Sequence, residues 1–262
     1  MNSILDDIIA YKKERVSQQK KLVSVEDLKQ QAQEVLSAGF MQALKASPVN
    51  LIAEVKKASP SKGVIRHDFD CVRIARDYAR AGAACLSVLT EDKYFQGELS
   101  FLKAVKAVVH LPVLCKDFII DEYQVYESKA AGADAILLIV SVLDDSALKN
   151  FYALAQNLKL DVLVEVHSAE EMDRALAVGA RMIGINARNL NDFSVDLNVF
   201  KPLISRIPKG HIVVCESGMH SKDDLSFVKS LKPDAVLIGE ALMRQKDVFS
   251  STREFVRFLK QP

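Results

Sequence analysis

Short apolar runs recur along the chain from Asn50 onward, and each is followed by a longer stretch with helical spacing. The runs are rich in Val, Ile and Leu and almost continuously apolar, which is typical of parallel strands buried on both faces. Strands that alternate with helices in this way predict a parallel sheet covered by helices. The eight runs cover residues 51–55, 85–89, 113–115, 135–140, 162–166, 182–185, 212–215 and 235–238.

The stretches between these runs repeat their apolar residues at intervals of three and four, as amphipathic helices do. Three of them end alike, because Gly82, Gly132 and Gly179 each stand between small or apolar residues just before the next run. Glycine at that place predicts a left-handed helix cap. The predicted helices cover residues 71–81, 99–109, 122–131, 146–158, 169–178, 197–207, 222–231 and 248–259.

The number and length of these units predict the architecture. From Leu51 onward the chain provides about 26 residues for each strand–helix unit, which fits a (β/α)8 TIM barrel. A doubly wound open sheet is the alternative. No GxGxxG motif follows the first run, and this weakens the dinucleotide-binding form of that alternative.

The N-terminal part of the chain has a different pattern, without apolar runs. Residues 2–20 place their apolar side chains near one helical face, which predicts a first helix. Ser24 and Asp27 predict the N-cap of a second helix that ends near Gly39. This part is short, which favours an extension packed on the larger body over a separate subdomain. The predicted domains are a helical N-terminal extension, residues 1–48, and a barrel domain, residues 49–262.

The charge balance excludes several classes of partner. Lys and Arg number 35 and Asp and Glu 34, so the formal net charge is +1. No overall field therefore attracts nucleic acid or an anionic membrane surface. No apolar run approaches the ~20 residues that span a bilayer. We expect neither a nucleic acid nor a membrane as a partner.

The N-terminus and the cysteines together predict a cytoplasmic protein. The first residues are partly acidic and lack the apolar core of a secretory signal. The spacing of the four cysteines matches no zinc or CxxC redox pattern, so we interpret them as small buried side chains in a reducing compartment. The five histidines form no HxH or HExxH motif, and we expect no metal site.

Polar side chains end most of the predicted strands. In a (β/α)8 barrel the active site lies at the carboxyl ends of the strands, and an isolated buried charge is costly. We therefore expect these groups to meet in one pocket; the alternative is a set of ion pairs that only closes the rim. The residues are Glu54, Lys56, Lys116, Glu165, Asn186, Arg188, Glu216, Ser217, Gly218, Gly239 and Glu240.

The signs of these charges indicate the kind of substrate. Lys56, Lys116 and Arg188 are cations suited to an anionic substrate. The carboxylates of Glu54, Glu165 and Glu216 suit proton transfer.

Glycines after the last two strands indicate a phosphate site. Gly218 and Gly239 stand in the two loops that commonly bind phosphate in this fold, where backbone N–H groups approach the anion. Ser59, in the loop after the first strand, either donates to a phosphate or only shapes its loop.

At these residues the sequence resembles the indole-3-glycerol-phosphate synthase family of tryptophan biosynthesis. The likeness covers nearly the whole chain, and its motifs stand in order at the expected strand ends. They are IAEVKKASPSKG at 52–63, LSVLTE at 86–91, VLCKDF at 113–118, LVEVH at 163–167, IGINARNL at 183–190 and ESG at 216–218.

The resemblance implies a carboxy-lyase without a metal or organic cofactor. Its substrate would be 1-(2-carboxyphenylamino)-1-deoxyribulose 5-phosphate and its products indole-3-glycerol phosphate, carbon dioxide and water. The family's N-terminal extension folds over the barrel mouth, so we expect residues 1–48 to pack there and to help exclude water. Enzymes of the same pathway would be separate chains.

The resemblance also implies roles for single residues. Lys116 would donate a proton to the substrate carbonyl, and Glu165 would be the acid or base of the dehydration. The other implied catalytic residues are Glu54, Lys56, Asn186, Glu216 and Ser217. Those implied or suited to bind the substrate are Arg188 for its carboxylate, Ser59, Gly218, Gly239 and Glu240 for its phosphate, and Phe95 and Phe118, which either bracket its aromatic ring or simply pack.

Two alternatives stay open at this point. Another phosphosugar enzyme, such as a phosphoribosyl isomerase or an aldolase that forms a Schiff base on Lys116, would use a similar barrel. A non-catalytic ligand-binding barrel would need the same pocket but no proton transfer.

Overall fold

The chain folds as a closed barrel of eight parallel strands in a computed structural model that describes residues 3–261. The strands are β1 (Asn50–Val55), β2 (Ala58–Ser59), β3 (Gly63–Val64), β4 (Cys85–Leu89), β5 (Val113–Lys116), β6 (Ala135–Ile139), β7 (Asp161–Val166), β8 (Met182–Asn186), β9 (Ile212–Glu216) and β10 (Ala235–Ile238). β2 and β3 form a separate hairpin. The others pair in the order β1-β10-β9-β8-β7-β6-β5-β4, and β1 closes the ring on β4. The predicted (β/α)8 barrel is confirmed, and the open-sheet alternative is wrong.

Side chains alternate between the two faces of the barrel wall. In β1, Leu51, Ala53 and Val55 belong to the apolar cluster under the outer helices, whereas Ile52 belongs to the cluster that fills the barrel. Because side chains two apart share a face, Glu54 points inward with Ile52. Polar residues at the last inward positions therefore project towards the mouth of the barrel.

Helices cover the outside of the barrel, and most of them lie close to the predicted bounds. The helix predicted over 197–207 is instead a 3-10 turn followed by a short helix that ends at Ile204. Gly82, Gly132 and Gly179 take φ angles of 95°, 96° and 84°, so the predicted left-handed caps are confirmed. The helices are α1 (Ile4–Leu22), α2 (Val25–Gln33), α3 (Phe40–Ala43), α4 (Cys71–Ala81), α5 (Leu99–Lys106), α6 (Glu122–Ala130), α7 (Asp145–Asn157), α8 (Ala169–Ala177), a 3-10 turn (Leu197–Val199), α9 (Phe200–Ile204), α10 (Lys222–Ser230), α11 (Glu240–Met243) and α12 (Val248–Lys260).

The second N-terminal helix is shorter than predicted. Its N-cap is Ser24, whose side chain accepts from the backbone N–H of Asp27, but the helix ends at Gln33, so the expected end near Gly39 was wrong. The chain beyond this helix is held by an acidic residue of the barrel, because the backbone N–H of Ala38 donates to Asp134 Oδ1 at 2.6 Å. This tertiary hydrogen bond takes the place of the helical hydrogen bonds that the local sequence allows.

The N-terminal residues touch both ends of the barrel. At the mouth, the Tyr11 hydroxyl of α1 donates to Asp92 Oδ2 at 2.9 Å. At the opposite end, Phe40 and Leu44 are buried in the cluster that fills the barrel, and the Asn50 side chain donates to the Leu44 carbonyl at 2.7 Å. Between these ends α2 packs on α6. Within residues 3–261, no helix combines the length and the apolar character that a membrane span requires.

Candidate active site

A cavity of about 950 Å³, including its open mouth, lies at the carboxyl ends of the barrel strands. The structure brings every residue that the sequence analysis selected for the site into its lining. These residues are Glu54, Lys56, Ser59, Phe95, Lys116, Phe118, Glu165, Asn186, Arg188, Glu216, Ser217, Gly218, Gly239 and Glu240. The other polar groups of the lining include Ser61, Asp117 and His220.

Lys116, the last residue of β5, lies at the centre of the charged groups. Its Nζ is 3.4 Å from Glu216 Oε2 and 3.6 Å from Glu165 Oε2. Burial lowers the pKa of Lys116, but the carboxylates of Glu216 and Glu165 outweigh burial and raise it above its usual value. The ammonium group is therefore charged and can donate a proton or a hydrogen bond to a ligand in the cavity.

Glu165 and Glu216 have unequal surroundings although both are buried. Burial raises the pKa of Glu165, but Lys116 and His167 outweigh it, so the pKa lies well below the usual value. Burial also raises the pKa of Glu216, and the neighbouring carboxylates of Glu165 and Glu54 raise it further, to about 8 against the pull of Lys116. Of the two carboxyl groups, Glu165 has the surroundings that favour the charged form, and Glu216 has the surroundings that favour a bound proton.

A second ion pair stands at the end of β1. Lys56 Nζ lies 2.7 Å from Glu54 Oε2. Burial raises the pKa of Glu54, but Lys56 and Lys116 outweigh it and the pKa is lowered. Glu54 thus links the two lysines of the cavity electrostatically.

Two glycines leave the space that the carboxylates occupy. A Cβ on Gly184, in β8, would overlap Glu216 Oε1, and a Cβ on Gly239 would overlap Glu54 Oε2. Gly184 also stands beside Glu165 in the register of β7 and β8. The absence of a side chain at Gly184 and at Gly239 therefore leaves the space in which the buried carboxylates lie.

Beside Arg188, the cavity contains a carboxylate that competes with an anionic ligand for the guanidinium group. Arg188 Nη2 lies 3.8 Å from Glu240 Oε2, and the Arg188 backbone N–H donates to Asn186 Oδ1 at 3.0 Å. Burial raises the pKa of Glu240, but Arg244 outweighs it and the pKa is lowered. An anionic ligand at Arg188 must therefore take the place of an ionised Glu240.

Ser59, Ser217 and Gly218 contribute further polar groups to the lining of the cavity. The Ser59 hydroxyl of β2 is buried and has no hydrogen-bond partner among the described residues. Ser217 and Gly218 both take positive φ angles, 68° and 81°, so the loop after β9 turns sharply there. These groups can donate hydrogen bonds to an anion that enters the cavity.

The aromatic residues form one wall. The rings of Phe95 and Phe118 have centroids 6.1 Å apart and planes tilted by 40°. At this separation the two rings contact each other and leave no room for a third ring between them. They offer a flat ligand an apolar surface on one side.

Two functional neighbours escaped the sequence analysis. Lys12 of α1 is fully buried and contacts Asp117; its position on the apolar face with Ile8 and Val16 was the available signal. His167 is part of the LVEVH motif but was given no role there, and the structure places its Nε2 3.4 Å from Glu165 Oε1.

Comparison with known proteins decides the family. Residues 5–255 match the sequence profile of the family described as indole-3-glycerol phosphate synthase. The chain belongs to the indole-3-glycerol phosphate synthase family. The family's fold and its carboxy-lyase activity therefore apply to this chain, as the resemblance implied.

Individual family members agree over nearly the full length. The indole-3-glycerol phosphate synthase of Thermoanaerobacter pseudethanolicus is 44% identical over 257 residues, which cover 98% of each chain. That of Legionella pneumophila is 48% identical over 251 residues, or 95% of this chain and 96% of the relative.

Solved structures with low sequence identity share the barrel. Thiamine phosphate pyrophosphorylase from Pyrococcus furiosus superimposes with a TM-score of 0.62 at 18% identity, covering 81% of this chain and 96% of its own. 3-Hexulose-6-phosphate synthase from Salmonella typhimurium gives 0.66 at 15% identity, covering 80% and 98%. These likenesses establish the fold of the indole-3-glycerol phosphate synthase chain and nothing about its substrate.

Proposed function

We propose that this cavity performs the family reaction, in which 1-(2-carboxyphenylamino)-1-deoxyribulose 5-phosphate closes its ring, loses carbon dioxide and is dehydrated to indole-3-glycerol phosphate. The observation that carries the proposal is the position of Lys116. Its charged amine is held between Glu165 and Glu216 and faces the cavity. One substrate, which joins a phosphosugar to an anthranilate group, fits both the cationic and the apolar parts of the lining.

Ring closure is the step that Lys116 serves. The aromatic carbon that bears the carboxylate attacks the C2′ carbonyl, and the carbonyl oxygen gains negative charge. Lys116 donates a proton to that oxygen, which becomes a hydroxyl. Proton donation by a positioned group contributes roughly 10²–10⁴ in rate. The carboxylate then leaves as carbon dioxide, and the electrons of its bond restore the aromatic ring.

Dehydration needs one group to protonate the departing hydroxyl and one to accept a proton from carbon. Glu165 acts as acid or base in this step, and Lys116 is within 3.6 Å to exchange a proton with it. The pair of Glu54 and Lys56 completes the proton-transfer network, and Glu216 keeps Lys116 in place.

The remaining lining residues orient the substrate. Arg188 binds the anthranilate carboxylate, Asn186 the sugar hydroxyls, and the wall of Phe95 and Phe118 the aromatic ring. The phosphate binds at the loops that follow β1, β9 and β10. Its donors are the hydroxyls of Ser59 and Ser217 and the backbone N–H groups of Gly218, Gly239 and Glu240.

We propose that the chain is divided into a helical extension, residues 1–48, and the barrel, residues 49–262. Met1, Asn2 and Pro262 lie outside the described residues. The contact of Tyr11 with Asp92 supports a role of α1 in closing the mouth over bound substrate.

We also propose that the enzyme works in the cytoplasm, with neither a nucleic acid nor a membrane as partner, and that its protein partners are other tryptophan-pathway enzymes. The four cysteines are free thiols, which suits a reducing compartment. The net charge of +1 gives no general attraction to polyanions.

The appearance of indole absorbance on mixing the protein with the carboxyphenylamino substrate tests the activity, and the protein contains no tryptophan that would obscure indole fluorescence. Lys116→Met should lower kcat by at least about a thousandfold and keep substrate affinity within about tenfold, because the lysine acts mainly in the transition state. Lys103→Met, on the exposed face of α5, is the matched control.

Two outcomes would contradict the proposal. Near wild-type turnover by Lys116→Met would show that the reaction does not depend on this amine. A covalent adduct on Lys116 after borohydride treatment with substrate would favour Schiff-base chemistry over proton donation.

A further inference from the structure

Glu165 and Glu216 face the same lysine, but only Glu165 has other donors. Asn186 Nδ2 donates to Glu165 Oε1 at 3.1 Å, and His167 Nε2 lies 3.4 Å from the same oxygen. Neither carboxylate oxygen of Glu216 has a hydrogen-bond partner among the described residues, and Lys116 Nζ lies 3.4 Å from Oε2. The two carboxylates therefore differ in their neighbours, because Asn186 and His167 lie beside Glu165 only.

His167 is itself held by a second carboxylate. Glu171, on α8, accepts the backbone N–H of His167 at 2.7 Å, and its same oxygen lies 3.1 Å from His167 Nδ1. Both ring nitrogens thus face carboxylates, which favours the doubly protonated imidazolium. Burial lowers the pKa of His167, but Glu165 and Glu171 outweigh burial and raise it to about 10.

The surroundings of His167 contain few other charges. It lines a second cavity beside the active site, where α1 contributes Leu5 and the end of β8 contributes Asn186. The one further titratable group of that lining is Asp196. A cation between carboxylates on β7 and α8 is therefore the main electrostatic feature on this side of Glu165.

We propose that His167, anchored by Glu171, is a positioning residue that holds Glu165 turned towards Lys116 and stabilises the negative charge of its carboxylate. This inference rests on the proposed role of Glu165 in dehydration. His167 does not touch the substrate in this scheme. It acts through Glu165, whose negative charge it stabilises before the reaction begins.

The protonation state of His167 can be measured without turnover. Imidazole nitrogen NMR of the full-length, ligand-free protein, with the His167 signals assigned by their loss in His167→Gln, should show both nitrogens protonated at pH 7.5. A neutral, singly protonated ring at that pH would overturn the proposal. Because no substrate is needed, this measurement stands even if the proposed function fails.

Kinetics test the effect on Glu165. His167→Gln keeps a hydrogen-bond donor but removes the positive charge, so the pKa of Glu165 should rise. We expect the acidic limb of the kcat profile to move up by about 1 pH unit, which lowers kcat roughly tenfold at a pH on that limb, and KM to stay within about threefold.

Two further variants complete the test. Glu171→Gln keeps the acceptor for His167 but lowers the pKa of the imidazole, so kcat should decline at a lower alkaline pH than in the wild type. His110→Gln, at an exposed site, should match the wild type. Wild-type kcat and pH limbs in His167→Gln, or a loss of thermal stability with unchanged pH limbs, would overturn the inference while leaving the Lys116 result intact. A failed proposed function would instead show as absent turnover in the wild type.

Discussion

The amine of Lys12, in the middle of the N-terminal helix α1, lies 2.6 Å from Asp117 Oδ1 and is fully buried. Asp117 follows Lys116 directly, and its other oxygen accepts the Thr90 hydroxyl at 2.8 Å. The pair thus connects the helix that crosses the mouth with the strand end that presents the central lysine. A buried ion pair at this place fixes the helix more specifically than apolar packing alone would.

Removing Lys12 should therefore destabilise the protein. Lys12→Met leaves Asp117 buried without its counter-ion, at a cost of about 3 kcal/mol in the free energy of unfolding, measured by urea denaturation. Lys13→Met, one residue along on the exposed face, is the control and should change little. The double variant Lys12→Met with Asp117→Asn should recover part of the loss. Equal stability of Lys12→Met and Lys13→Met would contradict the role of the pair.

Gly184 should be essential for activity because it makes room for Glu216. Gly184→Ala places a Cβ where Glu216 Oε1 lies and 3.2 Å from Leu163 Cδ1. We expect the displaced carboxylate to lower kcat at least roughly tenfold, since overpacking of this kind costs about 1–3 kcal/mol.

The control for this variant is a glycine outside the site. Gly210 has a φ of 91° and open space around its missing Cβ, so Gly210→Ala should lose about 1 kcal/mol of stability through backbone strain and keep its kcat. If Gly184→Ala retained full activity, the spatial argument for Glu216 would be wrong.

Glu216 should make stability depend on pH. Its pKa is about 8 in the folded protein, against ~4.3 for an exposed glutamate. Between these values the folded state binds more protons than the unfolded state, so this group's contribution to stability is present below pH ~4.3 and is lost as pH rises to about 8. Glu216→Gln removes the titration, and the free energy of unfolding relative to the wild type should increase between about pH 5 and 9.

Urea denaturation at several pH values measures this difference. Glu254→Gln, at an exposed site of α12, should follow the wild type at every pH. A constant difference between Glu216→Gln and the wild type across this range would show that Glu216 is ionised in the folded protein.

Glu240 should weaken substrate binding by competing for Arg188. In Glu240→Gln the arginine is released, and we expect KM to fall about threefold, within the range of a partly exposed ion pair. Arg244→Met should act in the opposite direction, because Glu240 loses its 3.0 Å partner and turns to Arg188. Steady-state kinetics on both variants checks the prediction, and KM changes of the same sign would contradict it.

The barrel and the lining of its cavity followed from the sequence for one physical reason. Parallel strands of similar length put their carboxyl ends on the same rim, so Glu54, Lys116 and Glu165 had to converge once the strand–helix alternation was recognised. The strand ends could be found because several of the buried apolar runs stop at a polar residue: Lys116 follows the third run, Asn186 the sixth and Glu216 the seventh.

Contacts outside this regularity could not be predicted in the same way. The pairing of Lys12 with Asp117 depends on where α1 crosses the mouth, and no local pattern specifies that path. The early end of the second helix depends on Asp134, which takes the backbone N–H of Ala38. His167 and Glu171 are four apart and adjoin a helix start, so their contact was within reach of local reasoning.

The residues at positions 184 and 239 can be used to judge whether a related barrel is active. A homologous barrel with alanine at either place has no room for a glutamate in the position that Glu216 or Glu54 takes here. Such a chain could retain every acid and base of the cavity and still have lost the reaction. Inspection of these two sites would then separate working enzymes from inactive duplicates that otherwise read alike.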